Sequence, residues 1–181
     1  HPNLAGSLDC IGDIWNTKGD YDKALEYFER SMAINLQYYG ESHPKVARSL
    51  NHIGDIWNTK GDYDNALEYF ERSMAINLQY YGESHPNLAG SLTRIGDIWK
   101  TKSDYDKALE YFERVMTIIV QYYGESHPNV AGSLNRIGGI WNTKGDYDKA
   151  LEYYERAMVI RLQYYGESHP NVASSLNLIG R

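Results

Sequence analysis

Several residue types in this 181-residue sequence could do chemistry, and the histidines are the most conspicuous. Five His-Pro pairs recur along the chain and raise the question of metal binding: His1-Pro2, His43-Pro44, His85-Pro86, His127-Pro128 and His169-Pro170. A zinc ion needs ligands within about 2 Å, whereas neighbouring helices pack about 8–10 Å apart. These pairs are spaced by 42 residues, and two predicted helices separate each pair from the next. The histidines are therefore too distant to share an ion, and we expect them to serve helix starts and loop packing.

Nucleophilic and acid–base sites are also disfavoured by the spacing. Cys10 is the only cysteine. His52, the one histidine outside the His-Pro pairs, lies 42 residues further along the chain, which is the spacing of those pairs. A reactive Cys–His pair must be within hydrogen-bond reach. Asp20 and Asp22 stand where a helix is predicted to start, so they are expected to cap that helix and complement its dipole. No phosphate loop or dinucleotide motif is present, and we predict no catalytic residue, no metal, no cofactor and no enzymatic activity.

The composition restricts the classes of partner and the cellular location that we expect. The net charge of −6 argues against nucleic acid, which calls for a basic face. The sequence has no run of about 18 apolar residues, so we expect no membrane span. A single cysteine fits a reducing compartment and favours a cytoplasmic location.

The elements that must position these residues follow from a period of 42 residues, marked by Trp15, Trp57, Trp99 and Trp141. A fixed period in this range indicates a solenoid. We therefore interpret residues 1–181 as one repeat domain. Its repeats are 1–42, 43–84, 85–126 and 127–168, with a partial fifth repeat, helix A only, at 169–181.

Each repeat is predicted to form two helices, here described for residues 43–84. Val46, Leu50, Ile53 and Trp57 make one apolar stripe of a helix A that starts at Pro44 and ends near Thr59. Gly61 supplies a left-handed stop and Asp62 a cap for the next helix. Helix B is predicted from about Tyr63 to Tyr81, with an apolar stripe at Tyr63, Ala66, Leu67, Phe70, Met74, Leu78 and Tyr81.

A glycine inside helix A recurs in every repeat, although it costs roughly 1 kcal/mol of helix propensity. It is Gly12, Gly54, Gly96, Gly138 and Gly180. We expect close packing between helices A and B to require it.

This pattern resembles the tetratricopeptide repeat family in its large, small and aromatic positions: Leu50, Ile53-Gly54, Trp57, Gly61, Tyr63, Ala66, Phe70 and Met74. Two features depart from it, since the period exceeds the usual length of about 34 residues and Leu78 replaces the proline that ends helix B. The longer unit, with its Gly-Glu-Ser-His-Pro segment, resembles the repeats of kinesin light chains and nephrocystin-like proteins. The resemblance implies an all-α, right-handed superhelical solenoid of antiparallel helix pairs. Its concave groove, lined by A helices, would bind a protein or an extended peptide.

The repeats differ mainly at helix-A positions that line the groove in the resembled family. The predicted groove residues are Asp9, Asp13, Asn16, Arg48, Asn51, His52, Asp55, Asn58, Arg94, Asp97, Lys100, Asn135, Arg136 and Asn142. Asp9 and Asp13 would make the first part acidic, and Arg94, Lys100 and Arg136 would make the later part basic. Asn16, Asn58 and Asn142 would form a ladder of hydrogen bonds to a peptide backbone. We expect a ligand that is basic at one end and acidic beside Arg94 and Arg136.

Two alternatives stay open at this stage. The helix-A differences also fit drift at solvent-facing positions that nothing restrains. The chain could instead be a structural array that self-associates head to tail, or a consensus-like, designed repeat protein with no dedicated ligand.

Overall fold

The structure is a computed structural model that describes residues 2–166 and residue 170. Its described part contains eight α-helices and no strand. The helices are α1 (Pro2–Thr17), α2 (Tyr21–Tyr39), α3 (Pro44–Thr59), α4 (Tyr63–Tyr81), α5 (Pro86–Thr101), α6 (Tyr105–Tyr123), α7 (Pro128–Lys144) and α8 (Tyr147–Tyr165). The predicted helices A and B of residues 43–84 are confirmed as α3 and α4. The partial fifth repeat predicted at 169–181 lies outside the described residues, apart from residue 170.

The His-Pro pairs start the A helices. In α3, α5 and α7 the proline occupies the first helical turn, and the histidine Nδ1 accepts a hydrogen bond of 3.2 Å from the backbone N–H two residues later. The ring of His43 also stacks on Tyr39, with 4.3 Å between centroids. Capping satisfies one of the backbone donors that a helix start leaves unpaired, so these histidines have the structural role predicted for them.

A tight turn joins each helix A to its helix B. Gly61 adopts a left-handed φ of 81°, and its N–H donates to the carbonyl of Asn58 at 3.0 Å. The N–H of Asp62 donates to the carbonyl of Trp57 at 2.9 Å, and the Asp62 carboxylate caps α4 by accepting from the Asn65 backbone at 3.2 Å. These two backbone hydrogen bonds end a helix when the residue after it can take a positive φ.

Close packing between helices A and B explains the recurrent glycine. A Cβ atom on Gly54 would lie 2.6 Å from Cε1 of Phe70, well inside van der Waals contact. The same conflict, at 2.7–2.8 Å, would arise with the ring of the paired helix B at Gly12, Gly96 and Gly138. The prediction is confirmed for these four glycines, while Gly180 lies outside the described residues.

The chain divides into two compact units, His1–Glu83 and Ser84–Arg181. In unit 1 the core joins Ala24, Leu25 and Phe28 of α2 to Ile53 and Ile56 of α3. In unit 2 the equivalent residues join α6 to α7: Ala108, Leu109, Phe112, Ile137 and Ile140. Each unit therefore stacks the helix A of its second repeat on the helix B of its first. None of the helices among the described residues has the length and apolar character needed to cross a bilayer.

Helix B buries polar side chains that the apolar pattern did not indicate. Leu78, predicted to be part of the apolar stripe, is 38% exposed, whereas its neighbour Asn77 is only 4% exposed. At the matching position of α2, Asn35 donates from Nδ2 to the Ser49 hydroxyl at 3.1 Å. A buried amide is tolerated when its hydrogen bonds are made, and this bond lets an asparagine take an inward position on helix B.

Candidate binding surface on the A helices

The predicted groove residues lie on the A helices of the two units, and we call the exposed and half-buried side of these helices the A-helix surface. In unit 1 it belongs to α1 and α3, and in unit 2 to α5 and α7. Thirteen of the fourteen predicted residues are exposed or half-buried. The exception is Asp9, which is only 8% exposed.

A cluster centred on His52 occupies unit 1. The His52 ring stacks on Phe28 with 4.9 Å between centroids, and its Nε2 accepts a hydrogen bond of 3.3 Å from Nε of Arg48. Because Nε2 is an acceptor, the ring proton belongs on Nδ1, which lies 3.8 Å from the Asp13 carboxylate. The structure thus brings three predicted residues together. Arg48 contacts His52 on α3, and His52 in turn lies beside Asp13 on α1.

A pocket of about 570 Å³ opens beside this cluster. Asp9 lines it, and the Oδ1 atom of this residue is buried and has no hydrogen-bond donor among the described residues. The residues around the pocket come from α1, α2 and α3 and from no other helix: Asn3, Ala5, Gly6, Ser7, Asp9, Cys10, Asn35, Tyr39, Lys45 and Arg48. Among the predicted groove residues, Oδ1 of Asp9 and Oδ1 of Asn51 are the two buried side-chain atoms without a hydrogen bond to a described residue. A buried oxygen left unpaired destabilises the fold.

The predicted asparagine ladder sits at the ends of the A helices. The backbone carbonyls of Asn16, Asn58 and Asn142 accept the turn hydrogen bonds of the following glycines, at 2.9–3.1 Å. Their side-chain amides make no hydrogen bond within residues 2–166 and stand half-buried or exposed. Asp55 lies half-buried one turn before Asn58.

In unit 2 the main feature is an ion pair between the two A helices. Arg136 donates from Nη1 to both carboxylate oxygens of Asp97, at 2.6 and 2.8 Å, and its guanidinium lies 5.7 Å over the Phe112 ring. Arg94 donates from Nη1 to the Gly90 carbonyl at 3.3 Å. Lys100 is exposed and forms no ion pair among the described residues. The Arg136 charge is therefore balanced within the protein, whereas that of Lys100 faces solvent.

A helix-B residue that sequence reasoning missed also reaches this surface. With its amide oxygen turned toward α8, the orientation that satisfies both groups, Asn135 accepts hydrogen bonds of 3.0 Å from both terminal nitrogens of Arg161. Burial lowers the pKa of the Arg161 guanidinium, and Tyr165 opposes that shift. The signal was present in the register of helix B, where the same position reads Asn35, Asn77, Ile119 and Arg161.

Three further glycines in the A helices have no packing partner. A Cβ atom at Gly6 or Gly132 would meet nothing within 4 Å, and one at Gly90 would meet only the end of the Arg94 side chain, at 4.0 Å. They differ in this from Gly54 and its equivalents, where the paired ring forbids a side chain. Their presence inside a helix is not explained by contacts within the described residues.

One substitution on the A-helix surface lies beside a substitution on the paired helix B. Gly139 replaces the aspartate found at Asp13, Asp55 and Asp97, and a Cβ atom there would lie 3.7 Å from the hydroxyl of Tyr154. Tyr154 is itself the only departure from phenylalanine at its position, and burial raises the pKa of its phenol. The Tyr154 hydroxyl therefore lies at ordinary contact distance from the point where the other repeats carry the Cβ atom of an aspartate.

A larger pocket, of about 700 Å³, lies in unit 2 away from all of the predicted residues. Its floor is apolar, with Met116, Val130 and Leu134, and its polar lining comes from α8 and the loop before α7. Glu152 and Arg156 of that lining recur at the same register in every repeat.

Comparison with known proteins identifies the repeat. Two family models, each described as Tetratricopeptide repeat, match residues 4–56 and 130–181, and residues 46–87 and 88–129, respectively. No curated protein matches the chain.

Solved structures are similar at low sequence identity. A kinesin light chain-like protein of Podosopora anserina with nearly identical TPR-like repeats has a TM-score of 0.83 at 21% identity, and the match covers 100% of this chain and 86% of that one. BtubC (BKLC) from P. vanneervenii has a TM-score of 0.80 at 24% identity, covering 94% and 68%. The apo form of RapI has a TM-score of 0.79 at 18% identity, covering 99% of this chain but 48% of its own. These likenesses show the fold, an array of antiparallel helix pairs.

Proposed function

Because this chain belongs to the tetratricopeptide repeat family, whose repeats generally mediate protein–protein interactions, we propose that it binds an extended peptide segment of a partner protein on the A-helix surface. The family consists typically of scaffolds without enzymatic activity.

The observation that carries the proposal is the set of glycines without a packing partner. Glycine inside a helix costs roughly 1 kcal/mol relative to alanine, and Gly90 and Gly132 occur at one register position on the two A helices of unit 2. Among the described residues, no side chain approaches the Cβ position of Gly132, and only Nη1 of Arg94, at 4.0 Å, approaches that of Gly90. A peptide backbone that approaches the A helices closely would need it, as glycine commonly permits close approach to a ligand.

Hydrogen-bonding groups on the same surface support a peptide ligand. The side-chain amides of Asn16, Asn58 and Asn142 are unpaired within residues 2–166, so each can offer a donor and an acceptor to a peptide backbone. Each such bond would contribute on the order of 1 kcal/mol net.

Charge gives the two units different preferences. The predicted residues of unit 1 carry three carboxylates against one guanidinium, and those of unit 2 carry one carboxylate against three cations. The Asp97–Arg136 pair removes one charge of each sign from unit 2, which leaves it cationic. We therefore expect unit 1 to prefer basic residues and unit 2 acidic residues, a preference that weakens as salt rises.

The test uses peptides selected against the wild-type chain from a random library, with affinity measured by fluorescence anisotropy. Replacing Gly90 and Gly132 by alanine should stabilise the fold, by up to about 1 kcal/mol for each site. The same change should weaken peptide binding, because two methyl groups would stand where the peptide backbone approaches. Stability and binding would then move in opposite directions.

Matched control variants come from the B helix of the same unit. Glu110→Ala and Glu113→Ala alter exposed residues of α6 and should leave peptide affinity unchanged. If Gly90→Ala with Gly132→Ala binds the selected peptides as tightly as wild type, or if the α6 variants lose binding instead, the A-helix surface is not the binding site.

A second candidate function, head-to-tail self-association, is favoured by a separate observation. Leu4 and Ile14 on α1 are 53% and 55% exposed, while the matching residues of α3, Val46 and Ile56, are buried, and Ile56 packs against α2 of the preceding repeat. Leu151 of α8, the last helix that the structure describes, is exposed, whereas its equivalents Leu25, Leu67 and Leu109 are buried. Both faces are ones that a neighbouring repeat covers elsewhere in the same molecule, and such heterologous contacts can propagate.

A further inference from the structure

We infer that a second docking surface lies on the B helices of unit 2 and takes an amphipathic helical segment of a partner, with lysine or arginine beside its apolar face. The surface is the pocket of about 700 Å³, here called the B-helix groove. Its walls are α6 and α8, its floor is α7, and the loop before α7 completes the lining. The groove contains none of the predicted A-helix residues, so the inference does not depend on the proposed function.

The groove offers apolar surface to a partner. Val130 and Leu134 of α7 form its floor and are 4% and 1% exposed. Met116 and Val120 on the α6 wall are half-buried, and Val159 on the α8 wall is exposed. A cavity of this size that combines an apolar lining with a few polar groups is the usual form of a ligand site. A partner side chain placed here would be removed from water against apolar neighbours.

Two residues of the lining differ from the matching positions of unit 1. Val120 stands where α2 has Leu36, and Val159 stands where α4 has Ala75. The shorter side chain leaves space on the α6 wall, and the longer one extends the apolar wall of α8. Position 159 and its equivalents are exposed, and the other repeats carry Ala33, Ala75 and Thr117 there. The scaffold therefore does not require a valine at this position, whereas an apolar partner would bury it.

The charges around the groove select a basic partner. Glu152 and Arg156 of α8 pair with each other at 3.9 Å, so these two charges balance. Glu125 and Glu155 also line the groove, and neither forms an ion pair among the described residues. A lysine or arginine beside the apolar face of a partner complements these two carboxylates, whereas an acidic residue there is repelled.

The length of the groove favours a helix over an extended chain. The α8 wall runs from Glu152 to Ile160, about 12 Å along the helix axis. A bound helix presents side chains i, i+3 or i+4, and i+7 on one stripe of about 10 Å. An extended chain of that length has about four residues, and only every second side chain points inward. A helix therefore places more apolar side chains on the floor, which is the mode of recognition in other apolar grooves.

The experiment titrates the full 181-residue chain with a synthetic, end-blocked, alanine-based peptide. The peptide has about 14 residues, near the length at which an isolated helix becomes stable, with leucines at helical spacing and lysines beside them. Amide NMR resonances of Ser126, Val159 and Ile160 report on the groove. Those of Asn51 and His52 report on the A-helix surface of unit 1, which is also expected to prefer basic residues.

The groove resonances should shift with the lysine peptide. Replacing its central leucine by serine should weaken binding about tenfold, because one apolar side chain is no longer buried. Replacing its lysines by glutamates should weaken binding about tenfold as well, since two attractive contacts become repulsive.

Variants of the lining make the assignment specific. Val120→Leu with Val159→Ala gives unit 2 the residues that unit 1 already carries at these positions, so the fold should be kept. Binding should fall about tenfold, because two carbon atoms of apolar contact are lost and the space on α6 is filled. Glu125→Gln with Glu155→Gln should weaken binding about fivefold and remove most of its salt dependence. Glu113→Ala, on α6 outside the lining, should change nothing.

Unit 1 supplies the matched gain-of-function variant. Its residues Glu41 and Glu71 stand at the register of the two unpaired carboxylates of the groove. Leu36→Val with Ala75→Val therefore reproduces the differing part of the lining, and the Ile76 resonance should begin to shift with the lysine peptide.

Each outcome decides the question. Groove shifts that persist unchanged in both pairs of unit 2 variants would overturn the inference. A proline placed at the centre of the peptide prevents helix formation, so equally tight binding of that peptide would also overturn it. Shifts confined to Asn51 and His52 would place the peptide on the A-helix surface, contradicting the groove while supporting the proposed function. The absence of any shift would overturn the groove alone, because the proposed function is tested with independently selected peptides.

Discussion

Ser103 occupies a backbone position that three other repeats give to glycine. Its φ is 62°, in the left-handed region, and it stands at the same register as Gly19, Gly61 and Gly145. A residue with a Cβ atom pays roughly 1–2 kcal/mol to adopt this conformation. Ser103→Gly should therefore stabilise the chain by about 1 kcal/mol, measured as a shift of the urea midpoint without a change in the slope.

The reverse substitution is the matched control for that prediction. Gly61→Ser introduces the same strain at a site with the same hydrogen bonds, in which residue 61 donates to the Asn58 carbonyl. It should lower stability by a similar amount. Equal stability of all three proteins would mean that the turn does not constrain folding.

Residue pairs that cross from one repeat to the next were the hardest to predict from sequence. The glycine–phenylalanine contact could be foreseen, because a glycine inside a helix calls for a close neighbour and both residues recur in register. The Arg136–Asp97 pair joins residues 39 apart, and the His52–Asp13 pair has the same separation. Their contact depends on how one A helix stacks against the next, which composition does not show. The buried state of Asp9 was likewise hidden, since an acidic residue is ordinarily expected at the surface.

Whole elements were predicted well because their ends are encoded locally. Proline at the first turn, glycine with a positive φ at the end and aspartate as the next cap define each pair of helices within a few residues. The inward face of helix B was predicted less well. Its buried Ser31 and Asn35 are polar, and they are accommodated by hydrogen bonds to Ala5 and Ser49 on A helices that are distant in sequence.

Because aspartates cap the B helices, the free energy of unfolding depends on pH in the acidic range. The pKa of Asp20 is lowered first by a side-chain hydrogen bond with Lys23 and then by the Lys23 backbone N–H, whereas for Asp104 the backbone N–H of Lys107 is the larger cause. A carboxyl whose pKa falls on folding stabilises the native state above its ordinary pKa of 3.8, and this stabilisation is lost as pH falls through the lowered value.

Removing the lysines separates these two causes. Lys23→Ala should raise the pKa of Asp20 toward 3.8 more than Lys107→Ala raises that of Asp104, because the backbone bond survives both substitutions. Carboxyl carbon shifts in an NMR titration measure both values, and acid unfolding of the Lys23→Ala variant should begin at a higher pH. A larger change at Asp104 than at Asp20 would refute this ordering.

At the scale of the whole molecule, the repeat made the fold predictable and the ligand much less so. Four copies in register show which residues the scaffold requires, since a tryptophan, a proline or a helix-A glycine that never varies belongs to packing. What remains are a few helix-A and helix-B positions that differ between repeats, and the proposed function assigns the helix-A positions to a bound partner. Repeats within one chain cannot show the shape or chemistry of such a partner.

Exposed end faces give the last prediction, which concerns association between whole chains. If the apolar face of α1 docks on the last helix pair of a second copy, the sedimentation coefficient should rise with concentration. Leu4→Gln with Ile14→Gln should abolish that rise, because burial of each apolar side chain in the contact would contribute about 1.5–3 kcal/mol to the free energy of association. Both residues are exposed, so the fold should keep its stability.

Val159→Gln is the control for a general loss of surface hydrophobicity, since Val159 is 47% exposed and its equivalents Ala33, Ala75 and Thr117 are exposed too, so no neighbouring repeat covers this position. It should leave association unchanged. A wild-type chain that sediments as a monomer at every concentration would contradict self-association. Peptide binding on the A-helix surface would then stand as the function that the surface residues support.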